Sequence, residues 1–105
     1  MNKYRAKPTV IDGIRFASQA EARRYEELLL LKRAKEIVGL EFQYKMPIFV
    51  GGRKICTYIA DFRYQLRDTG QDVIEDVKGV KTSVYSLKKK LVEATYGITI
   101  TEVKA

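Results

Sequence analysis

The chain has 105 residues, of which 46% are hydrophobic, so it fits a single compact domain (1–105) and neither a disordered chain nor a coiled coil. Twenty Lys and Arg against thirteen Asp and Glu give a formal net charge of +7, which favours a polyanionic partner, nucleic acid before an acidic membrane. The sequence has no His and a single Cys56, which excludes histidine general bases, His-dependent nucleophiles, thiolate metal clusters and an intrachain disulfide. Any catalysis must therefore depend on carboxylates and lysines.

Neither a membrane span nor a signal peptide is visible. No apolar run approaches the roughly 20 residues that a spanning helix needs, and the first five residues lack the apolar segment of a signal peptide. We therefore expect a cytoplasmic protein with no membrane partner. The basic residues at the start of the chain predict an N-terminal arm over residues 1–8.

The first third of the chain predicts a hairpin and then an amphipathic helix. Two short apolar segments flank Asp12-Gly13, a dipeptide that favours a tight hairpin turn. The region from Ser18 to about Lys35 contains neither Gly nor Pro and has one apolar face. Ser18 and Glu21 have the spacing of a capping box, in which the Glu side chain returns to the Ser18 N–H. Glu21 also lies at the start of the buried face of this helix. A capping role and a role as a metal ligand explain a carboxylate at this position equally well.

The remaining chain predicts strands, a second helix and a final strand. Apolar periodicity changes to that of strands after Leu40, and Gly-containing turns separate three expected antiparallel strands. Ser83 can cap a second helix, which Gly97 ends. The expected order is αβββαβ, an α/β fold (an α+β mixed sheet) with helices on its faces. The expected strands are Leu40–Val50, Ile55–Leu66, Val73–Lys78 and Ile98–Val103.

The hairpin of the second and third strands carries candidate catalytic residues. If Thr69-Gly70 is its tip, Asp61 lies opposite Lys78 and Arg63 lies opposite Asp76. Asp61, Asp76 and Lys78 then project from one side of the sheet, and an apolar set projects from the other.

Two readings of this charged set stay open. Two converging carboxylates with an ammonium group make a hard oxygen site for Mg²⁺ or Mn²⁺. The same pattern is also that of a salt-bridge ladder on a solvated sheet face. Glu75 falls on the apolar side of the sheet in this register. A β-bulge would instead place its side chain on the charged side, where it would take the position given to Asp76.

A cluster of lysines marks the second helix. Lys81, Lys88, Lys89 and Lys90 lie near Tyr85 in the sequence, and together with the net charge they predict contacts to nucleic-acid phosphates. Alternatively, these lysines form a solvent-exposed helix face that contacts no nucleic acid.

Three segments resemble the PD-(D/E)XK nuclease superfamily, and more narrowly a small phage and prophage family assigned to it. They are Phe16–Ala22, Tyr58–Phe62 and Glu75–Gly79, and the likeness extends over about Tyr4 to Val103. Ala60 stands where the superfamily motif commonly has Pro. The resemblance implies the restriction-endonuclease-like αβββαβ core.

The resemblance also implies roles for individual residues. Asp61 would be the first metal-binding carboxylate and Asp76 the second, with the Val77 carbonyl completing the metal shell. Lys78 would orient or activate the attacking water and stabilise charge on the phosphate. Glu21 would match the acidic residue of the first helix that supports the metal.

Two further residues are candidate neighbours of this site. Gln43 matches a polar strand position found in some members, although an edge polar residue explains it as well. Glu75, adjacent to Asp76, is the alternative second carboxylate.

The function expected on these grounds is that of a Mg²⁺- or Mn²⁺-dependent phage-type endonuclease that hydrolyses DNA phosphodiester bonds in the cytoplasm, which is that of the host cell if a phage encodes the chain. So short a chain favours structure-directed recognition or targeting by a partner. RNA as the target is an open alternative, and analogy with other small nuclease cores suggests a homodimer. A non-catalytic nucleic-acid-binding or assembly module on the same fold is the second hypothesis.

Overall fold

The computed structural model describes residues 8–105, so the predicted basic arm lies outside the described residues except for Pro8. After an initial hairpin the elements follow the predicted order αβββαβ. They are β1 (Thr9–Ile11), β2 (Ile14–Phe16), α1 (Gln19–Arg33), β3 (Ile37–Val50), β4 (Arg53–Leu66), β5 (Asp72–Lys78), α2 (Ser83–Tyr96) and β6 (Thr101–Lys104).

Strands β3, β4, β5 and β6 form one mixed sheet in that spatial order. The first three are antiparallel neighbours, and β6 pairs parallel to β5 after the crossover through α2. This confirms the predicted α/β mixed-sheet fold class. Strands β1 and β2 form a separate hairpin, in which Asp12 (φ 53°) and Gly13 (φ 77°) adopt the positive φ angles that a tight two-residue turn requires.

The apolar side chains form two clusters, one around each helix, and strand β4 contributes to both. Phe62 belongs to the cluster around α1, whereas Ala60 belongs to the cluster around α2. Asp61, the residue between them, therefore lies at the boundary of the two clusters. The α1 cluster contains Phe16, Ala22, Tyr25, Leu28, Ile37, Phe62 and Tyr64, and the α2 cluster contains Met46, Ile48, Tyr58, Ala60, Ile74, Val92 and Ile100.

The predicted pairing of β4 with β5 is wrong by two residues. Arg63 lies opposite Ile74 and not opposite Asp76. Extending the same register sets Asp61 level with Asp76 and not with Lys78. A shift of two residues leaves the paired side chains of β4 and β5 on their predicted faces, because side chains alternate with a period of two.

The loop between these strands explains the shift. The N–H of Leu66 donates to the carbonyl of Gln71 over 2.9 Å, which leaves four residues, 67–70, in the loop. Gly70 adopts its φ of 73° at the end of this loop and not at its centre. The prediction placed Gly70 at the hairpin tip and so displaced the pairing.

Several element boundaries also differ from the prediction; β3, for example, begins at Ile37 instead of Leu40. Thr82, not Ser83, caps α2, because the Thr82 hydroxyl accepts the N–H of Tyr85 over 3.1 Å. The last strand begins at Thr101 instead of Ile98. Among residues 8–105, neither helix has the length and apolar character needed to cross a membrane.

Candidate functional site

The regular pairing of the sheet is interrupted on both sides of Asp61. Towards β3, the residue level with Asp61 is Gln43, which adopts a φ of 54° within the strand. Towards β5, regular pairing extends only as far as Phe62 and Glu75. A positive φ at a non-glycine residue is strained, and such strain concentrates at functional sites.

Carboxylates bind the backbone N–H groups at this interruption. The N–H of Asp61 donates to Oδ1 of Asp76 over 3.2 Å, and the N–H of Val77 donates to Oδ2 of Asp61 over 2.7 Å. Each side chain thus spans the gap between β4 and β5. The structure therefore brings the two predicted carboxylates together, with Val77 joining them through its N–H.

The second oxygen of Asp76 is unusual. Asp76 is 2% exposed, and its Oδ2 has no hydrogen-bond partner within the described part of the chain, residues 8–105. Burial raises the pKa of Asp76 to about 6, although the charge of Lys78 opposes the shift. Because an unpaired buried carboxylate oxygen is costly, this atom is suited to binding a cation.

Glu21 supplies a third carboxylate from α1. The Ser18 hydroxyl accepts the Glu21 N–H over 3.1 Å, so the Ser18 half of the predicted capping box forms. The Glu21 carboxylate accepts a 3.2 Å hydrogen bond from Nε2 of Gln43 and lies against Asp61. Burial and the neighbouring Asp61 charge raise the pKa of Glu21 to about 7, and burial also raises that of Asp61.

Lys78 faces the same group of acids. Its Nζ lies 4.4 Å from the centroid of the Tyr85 ring, a cation–π contact. Its charge opposes the effect of burial on the pKa of Asp61 and of Asp76. Lys78 and Asp76 both line a cleft of about 310 Å³.

The side chains at this site suit a hard divalent cation, although they are not already arranged around one. Among residues 8–105, no group of three or more His, Cys, Asp or Glu side chains is placed to hold a metal ion. Carboxylate oxygens are nevertheless the ligands that Mg²⁺ and Mn²⁺ prefer. A cation bound by Asp61 and Asp76 would also satisfy the unpaired Oδ2 of Asp76.

Glu75, the alternative second carboxylate, is held elsewhere. Arg24 binds both of its oxygens, through Nε at 2.9 Å and Nη2 at 2.8 Å, and the Tyr64 hydroxyl donates to Oε2. Glu75 is 1% exposed, so these donors compensate a fully buried charge. Arg24 was not predicted to contact Glu75, and its position one helical turn after Glu21 was the available signal.

Part of the predicted nucleic-acid-binding cluster is organised by Glu102, a residue that was not among the predicted site residues. Lys81 and Lys89 bind its two carboxylate oxygens at 2.9 and 3.3 Å, and the Tyr85 hydroxyl donates to it over 2.8 Å. The hydrogen bond from Lys81, followed by that from Tyr85, lowers the pKa of Glu102 to about 2. One carboxylate therefore offsets part of the charge of two predicted phosphate-binding lysines.

The other two lysines of the predicted cluster lie in different surroundings. Lys88 lines the cleft beside Asp76 and Lys78, whereas Lys90 is exposed. Two residues apart on a helix, the side chains of Lys88 and Lys90 point about 200° apart. The cluster therefore does not form a single surface.

Comparisons with known proteins give a family assignment. The chain has no match among the curated proteins or among the solved structures. The family model described as "Protein of unknown function (DUF1064)" matches residues 1–104, and the chain therefore belongs to that family.

Proposed function

We propose that this chain is a divalent-metal-dependent nuclease of the PD-(D/E)XK type that hydrolyses DNA phosphodiester bonds. The observation that carries the proposal is the contact between Asp61 and Asp76 where β4 and β5 part, with Lys78 beside them. The αβββαβ order and the likeness of Tyr58–Phe62 and Glu75–Gly79 to the superfamily motifs support it.

Asp61 and Asp76 are the proposed ligands of Mg²⁺ or Mn²⁺, with Glu21 and the Val77 carbonyl as further candidates. When bound, the cation supplies Lewis-acid polarisation of the phosphate and makes a bound water more acidic. The hydrogen bond from Gln43 orients the carboxylate of Glu21. Glu75 takes no part in this scheme, because both of its oxygens already have partners.

Lys78 carries the proposed role of stabilising negative charge. It lies two residues after Asp76 on β5, so the two side chains share a face of the strand. Its ammonium group can donate to a phosphate oxygen while a water attacks the phosphorus in line. The cleft of about 310 Å³ that Lys78 and Asp76 line provides room for the substrate phosphate.

The proposed substrate is cytoplasmic DNA, recognised by its structure or through a targeting partner. The net charge of +7 supports a polyanion and does not separate DNA from RNA. The substrates of the cleavage test therefore include both.

The test is cleavage by the purified chain, with Mn²⁺, of supercoiled, linear, flap, four-way-junction and single-stranded DNA and of RNA. We expect cleavage of at least one DNA substrate, loss of cleavage in Asp76→Ala and full activity in Asp68→Asn. Asp68→Asn is a suitable control because it alters an exposed carboxylate of the loop in the same hairpin. No cleavage of any DNA, or cleavage that survives Asp76→Ala, rejects the proposal.

A non-catalytic nucleic-acid-binding or assembly module is the second candidate function. The observation that favours it is the lack, among residues 8–105, of three acidic side chains already placed around a metal position. A titration in which Mg²⁺ neither binds nor raises the melting temperature would support this candidate over the nuclease.

A further inference from the structure

The end of the β3–β4 hairpin lies outside both apolar clusters. Ile48 of β3 is fully buried in the α2 cluster, but residues 49–55, which follow it, are all exposed and belong to neither cluster. We call residues 49–55 the hairpin tip. Gly51 (φ 58°) and Gly52 (φ 78°) form its tight two-residue turn. Ile55 has no partner in the register of β3 with β4, so a β-bulge lies where burial ends.

Exposed apolar side chains lie beside cations on this short ribbon. Phe49, Val50 and Ile55 are 51%, 58% and 54% exposed. Phe49 lies opposite Lys54, and Val50 lies opposite Arg53. Opposed residues of an antiparallel pair project from the same face, whereas successive residues of a strand project from opposite faces. Each face of the hairpin tip therefore presents one apolar side chain beside one cation.

The outer half of the hairpin carries only positive charge. From Phe42 to Ala60 the sequence contains Lys45, Arg53 and Lys54 and neither Asp nor Glu. Among residues 8–105, neither Arg53 nor Lys54 has an ion-pair partner. Cations also protect exposed strands against aggregation, but that role does not explain the large apolar side chains exposed beside them. The combination suits a polyanion that also offers apolar surface, as the phosphates and bases of nucleic acid do.

The shape of the hairpin tip favours DNA over RNA. A two-stranded ribbon fits the major groove of B-form DNA, whereas the major groove of an RNA duplex is too narrow for protein side chains to read. Arg53 lies eight residues before Asp61 on β4, a distance of about 26 Å along an extended strand. About 8 base pairs of B-form DNA cover this distance. One duplex can therefore contact both the proposed catalytic site and the hairpin tip.

We propose that the hairpin tip is a contact for duplex DNA that enters the major groove. Arg53 and Lys54 bind backbone phosphates, and Phe49 and Val50 contact the edges of the bases. The inference rests on the proposed function in taking DNA as the partner, and it adds a binding surface remote from the metal ligands.

The apolar part of this contact is tested by DNA binding without cleavage. The anisotropy of a short fluorescein-labelled DNA duplex, titrated with protein in EDTA, gives the dissociation constant. We expect Phe49→Gln to weaken binding about fivefold, because it removes an apolar contact. Leu30→Gln is the matched control, because it makes the same change at an exposed apolar residue of α1. It should weaken binding less than about twofold.

The charged part is tested by the salt dependence of binding. Arg53→Gln combined with Lys54→Gln removes two phosphate contacts, so the slope of log affinity against log salt should become shallower by about 2. Arg15→Gln combined with Arg33→Gln removes the same charge from exposed positions outside the hairpin. This control should change the slope by less than about 0.5. Equal changes in the two double variants overturn the proposal, because net charge alone would then explain them.

Melting temperatures separate binding from folding. Because Phe49 is half exposed, Phe49→Gln should melt within about 4 °C of the unmodified chain. Weaker DNA binding with this stability supports the contact. A larger fall in melting temperature, or unchanged affinity for DNA, overturns the role given to Phe49.

Two other partners are distinguished with the same variants. We expect Phe49→Gln to leave the affinity for an RNA duplex of the same sequence unchanged, and an equal loss for RNA and DNA overturns the major-groove contact. Vesicles that contain phosphatidylserine test a membrane. If Phe49→Gln reduces vesicle binding but not DNA binding, the hairpin tip is a membrane contact and the proposal is wrong.

These outcomes are independent of those of the cleavage test. Selective loss of DNA binding in the hairpin-tip variants supports the contact even if the chain cuts no DNA. Conversely, a chain that cuts DNA but binds it equally well in these variants is a nuclease without this contact. If the unmodified chain does not bind the duplex, the contact is rejected.

Discussion

The backbone N–H of Asp61 donates a 3.2 Å hydrogen bond to the side chain of Asp76, and this bond joins β4 to β5 where their regular pairing stops. The N–H of Val77 completes the exchange by donating to Asp61. Buried backbone donors require partners, and here carboxylates provide them. Two acids that repel one another are thereby held together, and the proposed catalytic site is built on this junction.

Replacement of Lys78 should separate catalysis from cation binding. In Lys78→Gln the ammonium group that stabilises charge on the phosphate is lost, whereas Asp61 and Asp76 are unchanged. We expect the cleavage rate with Mn²⁺ to fall on the order of 100-fold, and Mn²⁺ binding measured by calorimetry to persist. Cleavage at the unmodified rate in Lys78→Gln would contradict the role given to this residue.

The buried acids predict a pH dependence of stability in the absence of divalent cations. Burial raises the pKa of Asp76 from 3.8 to about 6 and that of Glu21 from 4.5 to about 7. At pH values between the unfolded and the folded pKa of each acid, the folded chain holds more protons than the unfolded chain. The free energy of unfolding therefore falls as the pH rises through this range. Each pKa shift lowers the free energy of unfolding by at most about 3 kcal/mol between the acidic and the alkaline end of this range.

Thermal melting in EDTA at a series of pH values measures this effect. The melting temperature should decrease steadily as the pH rises from about 4.5 to about 7.5. Glu21→Gln should reduce the slope, because it removes one of the buried acids whose pKa is raised. A melting temperature that is constant or rises over this range in the unmodified chain is the result that the account does not allow.

The ion pair of Arg24 with Glu75 should contribute to stability and not to chemistry. Arg24→Met leaves the Glu75 carboxylate buried without its main partner, and we expect the free energy of unfolding to fall by about 3 kcal/mol. Arg24→Met with Glu75→Leu should recover most of the loss, because no charge then remains buried.

Urea denaturation of these variants gives the comparison, with Arg23→Met as the control at an exposed neighbouring position of α1. A loss in Arg23→Met as large as that in Arg24→Met would show that general helix effects, and not the ion pair, determine the result.

Removal of the Glu102 charge should strengthen nucleic-acid binding. In Glu102→Gln the ion-pair partner of Lys81 and Lys89 becomes neutral, so both ammonium groups can neutralise phosphates. We expect several-fold tighter duplex binding at low salt and a slope of log affinity against log salt that is steeper by about 1 to 2. Anisotropy titrations over a range of salt concentrations measure both. Weaker binding in this variant would mean that Glu102 positions the lysines and does not compete with the phosphate.

Much of the fold was predictable because its signals are local. The dipeptide Asp12-Gly13 predicted the tight turn between β1 and β2. The change of hydrophobic period along the chain predicted the order αβββαβ. The β4–β5 register was not predictable from turn composition alone, because Gly70 can serve at the centre or at the end of a loop. The error was two residues, an even number, so the predicted faces of Asp61 and Asp76 were unaffected.

Strand spacing together with the resemblance to the nuclease superfamily suggested the acidic residues of the candidate site, but neither indicated the contacts that surround them. Arg24 and Glu75 are separated by 51 residues and Tyr85 and Glu102 by 17, so no local pattern connects them. The sequence left Glu75 on an apolar face with its charge unexplained. Arg24 reaches Glu75 because α1 packs against the sheet. This contact pairs both oxygens of Glu75, whereas one oxygen of Asp76 stays unpaired among the described residues.

Direct measurement of cation binding tests the central claim, that Asp61 and Asp76 together hold one divalent ion. Isothermal calorimetry with Mn²⁺ should show one ion bound per unmodified chain and no binding in Asp76→Asn, whereas Asp68→Asn should bind as the unmodified chain does. If the unmodified chain binds no Mn²⁺, or if Asp76→Asn binds it equally well, the two carboxylates do not form a cation site and the proposed chemistry is wrong.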